Sequence, residues 1–229
     1  MESEEQSMIS LLTLALAPVA AIMTFIYFNK RIELEPLPLI FRTFMLGALL
    51  VFPIMFIQYA FNVEGLLQSP YSRSFILAGL LEEFLKWFIF LFAVYQHREF
   101  DHPYDGIIYG VAISLGFATV ENIIYLLANG AQYAWGRAIF PVSSHALFGI
   151  LMGYYIGKAK FNTSHKKMCL LLALLIPVGL HGLYDMILST TASAWIYLMI
   201  PFMAVLWYIG IRKINLANHN YPNVHTKAE

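Results

Sequence analysis

Seven stretches of predominantly apolar residues follow one another along the chain, and each is long enough to cross a lipid bilayer as a helix. Crossing a hydrocarbon core of about 30 Å takes about 20 residues at the rise of an α-helix. The connections between the stretches are short, which favours one compact bundle. We therefore predict an all-α membrane bundle of about seven transmembrane helices, at residues 8–28, 38–60, 74–95, 105–128, 137–157, 168–189 and 192–211.

The composition limits the partners that the chain can have. Hydrophobic residues make up 59% of it and charged residues only 12%, so the lipid bilayer is its expected surroundings. The formal net charge is zero, and no nucleic-acid partner is expected without a basic excess or stripe. Cys169 is the only cysteine, which excludes an internal disulfide and a cysteine-based zinc cluster.

Lysine and arginine predict the orientation of the bundle, because these residues concentrate in cytoplasmic loops. They occupy alternate connections and the C-terminal end, whereas the acidic N-terminus lies on the opposite side. We predict the N-terminus outside and the C-terminus in the cytoplasm, with a single transmembrane domain at 1–213 and a polar cytoplasmic tail at 214–229. The C-terminal orientation depends on a Thr/Ser-containing break at 189–194 between the last two spans.

Ionisable side chains interrupt four of the predicted spans. Each costs about 2.5–3.5 kcal/mol on insertion scales, so a cluster of them indicates a functional site. Counted from the outer helix ends at about 1.5 Å per residue, five of these side chains lie at one level, roughly 10–13 Å below the external surface: Glu82, Glu83, Glu121, His145 and His181. This common level predicts one shared site. Its residues are Glu82, Glu83 and Lys86 in the third span, Glu121 and Asn122 in the fourth, His145 in the fifth, and His181 and Asp185 in the sixth.

These residue types suit peptide hydrolysis. A glutamate in a pocket of low dielectric constant can take a proton from water, and Lys86 can neutralise one of the two adjacent glutamates while the other stays free. The developing oxyanion needs fixed donors, for which His145, His181 and Asn122 are the candidates. A zinc site is the alternative, with Glu82, Glu121, His145 and His181 as ligands, although their spacing matches no known zinc motif.

Three short motifs in order along successive spans resemble the PrsW family, membrane proteases of Gram-positive bacteria that make the first cut in the anti-sigma factor RsiW. The resemblance extends over nearly the whole membrane region, and His145 matches a further histidine of the family. The motifs are Glu-Glu-x-x-Lys at Glu82, Glu83 and Lys86, Phe-x-x-x-Glu-Asn at Phe117, Glu121 and Asn122, and His-x-x-x-Asp at His181 and Asp185.

The resemblance implies an endopeptidase of the bacterial plasma membrane whose substrate is a single-span anti-sigma factor. Its site-1 cut would help release an extracytoplasmic-function sigma factor under envelope stress. The family is in turn similar to glutamate-dependent proteases that include the CAAX endoprotease. This similarity implies that Glu82 activates water, that Glu121 assists, and that His181 with Asp185 lies on the oxyanion side. No cofactor is implied, and zinc stays open as the alternative.

Two functions of other classes remain open. Buried Glu, His and Asp side chains also form proton pathways in transporters, although the chain has no inverted repeat and no paired broken helices in its sequence. A scaffold for another protease is the second, because the family also resembles a non-catalytic subunit of gamma-secretase and a fold alone does not fix a function.

Overall fold

A computed structural model describes residues 2–30, 34–162, 165–191 and 194–219, with side chains from Met8 onward. Every regular element in these ranges is helical. Consecutive elements combine into long helices that run the length of the bundle. They are α1 (Glu2–Phe28), α2 (Leu37–Val63), α3 (70–93), α4 (Pro103–Asn129), α5 (Ala131–Phe161), α6 (Lys166–Thr190) and α7 (Trp195–His219).

Six of these helices are long and apolar enough to cross a membrane. The exception is α3, which carries Glu82, Glu83 and Lys86 within two turns. The predicted all-α membrane bundle is therefore confirmed. Its orientation in the bilayer stays a prediction.

The helix α3 changes its winding just before its charged residues. It begins with the short α-helical turn Pro70–Ser72, continues as the π-helix Arg73–Leu80 and returns to an α-helix at Leu81–Ala93. A π-helical segment has one more residue per hydrogen-bonded ring, and such segments are frequent at functional sites. The change of winding therefore directs Glu82 and Glu83 away from the face that a continuous α-helix would give them.

The helix α5 has the same kind of interruption. Its π-helical segment Ala138–Val142 precedes the α-helix Ser143–Phe161, and His145 lies in the first turn after it. A proline in the π-helical segment has no backbone N–H to donate to the preceding turn. Both interrupted helices thus place their ionisable residues directly after a π-helical segment.

The centre of the bundle is α4, in which every residue from 103 to 119 is buried. Glycines allow the backbones of α4 and α5 to touch, as expected of small residues between membrane helices. A Cβ on Gly149 would lie 2.7 Å from the Gly110 carbonyl oxygen, and one on Gly153 would collide with the Gly106 carbonyl oxygen. Close packing of α5 on α4 therefore depends on glycine at these positions.

The C-terminal helix is longer than the sequence indicated. The tail predicted at 214–229 stays a prediction, and its first residues continue α7 as far as His219. Ile214 and Ala217 are buried against the bundle, so packing extends the helix beyond its last charged turn. Residues 220–229 of the predicted tail lie outside the described residues.

The predicted break between the last two spans lies where the sequence placed it. The helix α6 ends at Thr190 and α7 begins at Trp195, on either side of the Thr/Ser-containing turn. Residues 192 and 193 of this break lie outside the described residues. The two helices are separate and pack on each other.

A second group of charges is buried at the opposite end of the bundle from the π-helical segments. Lys30 Nζ lies 2.5 Å from Glu35 Oε1 and 2.7 Å from Asp105 Oδ1, and Tyr109 donates its hydroxyl to Glu35. Burial lowers the pKa of Lys30, but the charge and hydrogen bond of Asp105, with a smaller contribution from Glu35, raise it above its ordinary value. The structure thus places Lys30 between two buried carboxylates.

Candidate active site

The two adjacent glutamates of α3 have different environments. Lys86 Nζ donates to Glu83 Oε1 at 2.7 Å and lies 3.5 Å from Glu82 Oε2. The side chains of Glu83 and Lys86 are fully buried, whereas that of Glu82 is 11% exposed. Lys86 thus neutralises Glu83 in particular. Glu82 keeps one carboxylate oxygen, Oε2, without a hydrogen bond among the described residues.

The helix α6 brings His181 against both glutamates. His181 Nδ1 lies 2.9 Å from Glu83 Oε1, while Nε2 lies 3.9 Å from Glu82 Oε2 and 3.5 Å from Asp185 Oδ2. Because an imidazole that bonds a carboxylate through Nδ1 has its ring fixed, Glu83 orients His181. The ring then presents Nε2 to Glu82, on the side where Asp185 is 29% exposed.

His145 and Glu121 form the remaining pair of the cluster. His145 Nε2 lies 2.9 Å from Glu121 Oε2, and His145 Nδ1 lies 3.3 Å from Lys86 Nζ. The Glu121 side chain is 39% exposed, so the cluster opens on its Glu121 and Asp185 side. His145 therefore connects the exposed carboxylate to the buried ammonium group.

Aromatic rings hold the cations and imidazoles of the cluster in place. Lys86 Nζ lies 4.1 Å above the ring of Phe117, which also meets the His145 ring edge to face at 5.5 Å. The ring of Phe148 stacks on His181 with centroids 5.2 Å apart. Phe117, predicted as a supporting residue, is thus a wall of the cluster, and contacts of this kind stabilise a cation in a dry site.

Asn122 lies behind the cluster and its amide is engaged in the packing of helices. Its Nδ2 donates to the backbone carbonyl of Ala15 at 3.2 Å, and its Oδ1 accepts from Arg137 Nε at 2.7 Å. The residue is fully buried. The geometry favours a role in joining α1, α4 and α5 rather than the oxyanion role considered from the sequence.

Two residues of the site were missed by the sequence reasoning. Arg137 Nη2 lies 3.4 Å from Glu121 Oε1, and Gln58 Nε2 donates to Glu82 Oε1 at 3.2 Å. Each residue has a signal in the sequence: Gln58 is a polar residue within an apolar span, and Arg137 is a cation near an outer helix end. Neither signal specifies a partner without the three-dimensional packing.

The donor atoms of the cluster fit a divalent metal. Glu82, Glu83, His145 and His181 each offer a ligand atom, and these atoms all lie within 4.8 Å of one another. Glu82 Oε2 and Glu83 Oε2 are buried without a hydrogen bond among the described residues, and two imidazoles with carboxylates form a donor set suited to zinc. The group contains Glu83 in place of Glu121, which the sequence had suggested as a ligand.

Comparison with known proteins identifies the family. Residues 35–209 match the family described as "PrsW family intramembrane metalloprotease". The chain belongs to the PrsW family. It is 53% identical to "Protease PrsW" of Oceanobacillus iheyensis over 93% of this chain and 98% of that protein. It is also 50% identical to "Protease PrsW" of Halalkalibacterium halodurans over 92% and 98%, and 47% identical to that of Bacillus subtilis over 92% and 96%.

Membership of the PrsW family makes the chain a membrane protease that acts on a protein substrate. The matched region, residues 35–209, contains every residue of the cluster described above. No solved structure matches the chain at a significant level. The roles of the individual PrsW-family residues in this chain therefore stay predictions, argued from the geometry.

Proposed function

We propose that the protein is a glutamate-dependent endopeptidase that makes the first cut in a single-span anti-sigma factor of the RsiW type. The observation that carries the proposal is the hydrogen bonding and position of the Glu82 carboxylate. Its Oε2 has no hydrogen bond among the described residues, and it lies beside His181 in a cluster that opens toward Glu121 and Asp185. A carboxylate with a free oxygen in a dry site is the general base that peptide hydrolysis needs.

In this mechanism Glu82 removes a proton from water as the oxygen attacks the scissile carbonyl carbon, and it later gives that proton to the leaving amine nitrogen. Glu83 is less suited to this role, because its Oε1 is bonded to Lys86 and to His181 and its side chain is fully buried, whereas that of Glu82 is 11% exposed. The arrangement supports a division in which Glu82 performs proton transfer and Glu83 fixes its neighbours.

The histidines are proposed to stabilise the charge that develops on the carbonyl oxygen. His181 Nδ1 donates to Glu83, so Nε2 faces Glu82 and Asp185, and Nε2 is a donor when the imidazole carries protons on both nitrogens. A donor that is fixed before the reaction needs no reorganisation during it, and its removal commonly costs about 10²–10³-fold in rate. Lys86, 3.3 Å from His145, adds positive charge on the same side.

A metal-dependent form of the same site is the second candidate, favoured by the donor set and the family description. Glu82, Glu83, His145 and His181 would hold the ion, which when bound would polarise the carbonyl and lower the pKa of water. The position of Lys86 favours the metal-free form, since its ammonium group already supplies a positive charge among these four side chains.

The position of the cut follows from the depth of the cluster. Glu82 lies in the first turn after a π-helical segment, and His181 lies nine residues before Thr190, the end of α6. With the predicted orientation, these groups face the outer half of the bilayer. We expect cleavage in the outer half of the substrate's membrane span or just outside it.

The proposal is tested by incubating the purified protein with an RsiW-like substrate in liposomes and identifying the products by mass spectrometry. We expect one cut, lost in Glu82→Gln and strongly reduced in His181→Ala, with both variants folded. Cleavage that survives a chelator would support the metal-free form. Cleavage that a chelator abolishes and zinc restores would support the metal form, and cleavage at the normal rate in Glu82→Gln would refute the assignment.

A further inference from the structure

An apolar groove lies between α2 and α3 on the outer face of the bundle. It has a volume of about 450 Å³ and a wholly apolar lining. Three of its side chains, Ile76, Leu80 and Phe84, are 41–43% exposed and therefore face the lipid. On the opposite wall lie Ile57 and Phe61 of α2.

The groove exists because the two helices have other packing partners. The π-helical segment Arg73–Leu80 packs on α6, whereas α2 packs mainly on α4. The backbones of the two walls therefore come close mainly where α3 resumes as an α-helix. Along the π-helical segment two side-chain hydrogen bonds join the walls, from Arg73 to Asn62 Oδ1 at 2.8 Å and from Gln58 to the Leu77 carbonyl oxygen at 2.9 Å.

The inner end of the groove reaches the candidate catalytic carboxylate. Gln58 follows the lining residue Ile57, and its Nε2 donates to the Leu77 carbonyl oxygen at 2.9 Å and to Glu82 Oε1 at 3.2 Å. Gln58 is not one of the lining residues, but it binds the carbonyl of the lining residue Leu77 and so connects the inner edge of the groove to Glu82. Among the described residues, no donor reaches Gln58 Oε1, which leaves this atom able to accept a hydrogen bond.

We propose that the α2–α3 groove is the docking surface for the membrane-spanning helix of the substrate, and that Gln58 meets the substrate backbone at the inner edge of the groove. The inference rests on the proposed function and adds the route by which the substrate reaches Glu82. An apolar helix in lipid can place its side chains in such a groove, as helices do in hydrophobic grooves generally.

The polar side chain of Gln58 at the inner edge of the groove favours a peptide over a lipid chain as the occupant. The substrate helix must unwind locally before water can attack one of its peptide bonds. The backbone N–H that loses its helical partner then needs another acceptor inside the membrane. Gln58 Oε1 offers that acceptor next to Glu82. An acyl chain carries no donor, so a lipid would gain nothing from Gln58.

The first test fills the groove. We expect Leu80→Trp to raise the KM for a membrane-embedded single-span substrate roughly tenfold with little change in kcat. The tryptophan would occupy the groove and weaken substrate binding equally in the ground state and in the transition state. Leu198→Trp is the matched control, since Leu198 of α7 is also lipid-exposed but lies outside the groove, and its kinetics should equal those of the wild type. Thermal unfolding of both variants in detergent should match the wild type.

The second test detects the occupant directly. A photoreactive benzoylphenylalanine in place of Ile76 should crosslink to the substrate helix in proteoliposomes, whereas the same probe in place of Leu198 should label only lipid. If the Ile76 probe labels only lipid at saturating substrate, or if Leu80→Trp leaves KM unchanged while the wild type cleaves, the docking surface is wrong. If the wild type never cleaves but the Ile76 probe still captures the substrate, the proposed function fails and the docking surface stands.

Discussion

Replacing Lys86 with methionine removes the ammonium group on which the charge balance of the cluster depends. Lys86 Nζ lies 2.7 Å from Glu83, 3.5 Å from Glu82 and 3.3 Å from His145. Methionine keeps most of the side-chain volume, so the loss of packing is small. The variant therefore isolates the effect of leaving buried carboxylates without their cation.

The distances set the size of the effect. At 2.7 Å and an effective dielectric constant of about 20, the attraction between Lys86 and Glu83 is about 6 kcal/mol, much of it offset by the desolvation of both groups. Removing one partner of a buried pair typically costs about 3–5 kcal/mol. In a protein of this length that loss lowers the unfolding temperature by roughly 6–20 °C.

The assay is thermal unfolding of the purified variants in detergent. Lys158→Met is the control, because Lys158 makes no ion pair among the described residues and its replacement should change stability by less than about 0.5 kcal/mol. The double variant Lys86→Met with Glu83→Gln should recover a large part of the loss, since it removes the unpaired charge. An unfolding temperature for Lys86→Met equal to that of the control would refute the reasoning.

Three further variants test other parts of the structure. Arg137→Ala should lower the cleavage rate roughly 10–100-fold, because Glu121 loses its cation, and a wild-type rate would argue against this positioning role. Gly153→Ala should destabilise the protein by about 1–3 kcal/mol in thermal unfolding through its collision with α4, whereas Gly179→Ala, with open space around its Cβ, should not. Lys30→Met should cost about 3–5 kcal/mol, because two buried carboxylates lose their cation; unchanged unfolding would contradict the pairing.

The helices could be predicted from the sequence because each depends on local apolar length. The common depth of Glu82, Glu121, His145 and His181 also followed from counting residues along predicted spans, and the structure brings these side chains together. The counting works because a helix has a fixed rise per residue.

The pairings within the site could not be predicted in the same way. Whether Lys86 faces Glu82 or Glu83 depends on the helix winding, and the π-helical segment Arg73–Leu80 has no clear signal in the sequence. Gln58 and Arg137 reach the site through packing between helices that are distant in sequence. Local pattern therefore specifies the composition of the site, and tertiary packing specifies its contacts.

The initial rate of substrate cleavage in proteoliposomes, measured for Glu82→Gln beside the wild type, tests the central claim most directly. Glu64→Gln is the matched control, because Glu64 is an exposed glutamate in the connection after α2. A general base contributes about 10²–10⁴-fold, so the Glu82→Gln rate should fall by at least about 100-fold while the Glu64→Gln rate is unchanged. Equal rates for the two variants, both folded, would contradict the assignment of Glu82 as the catalytic base.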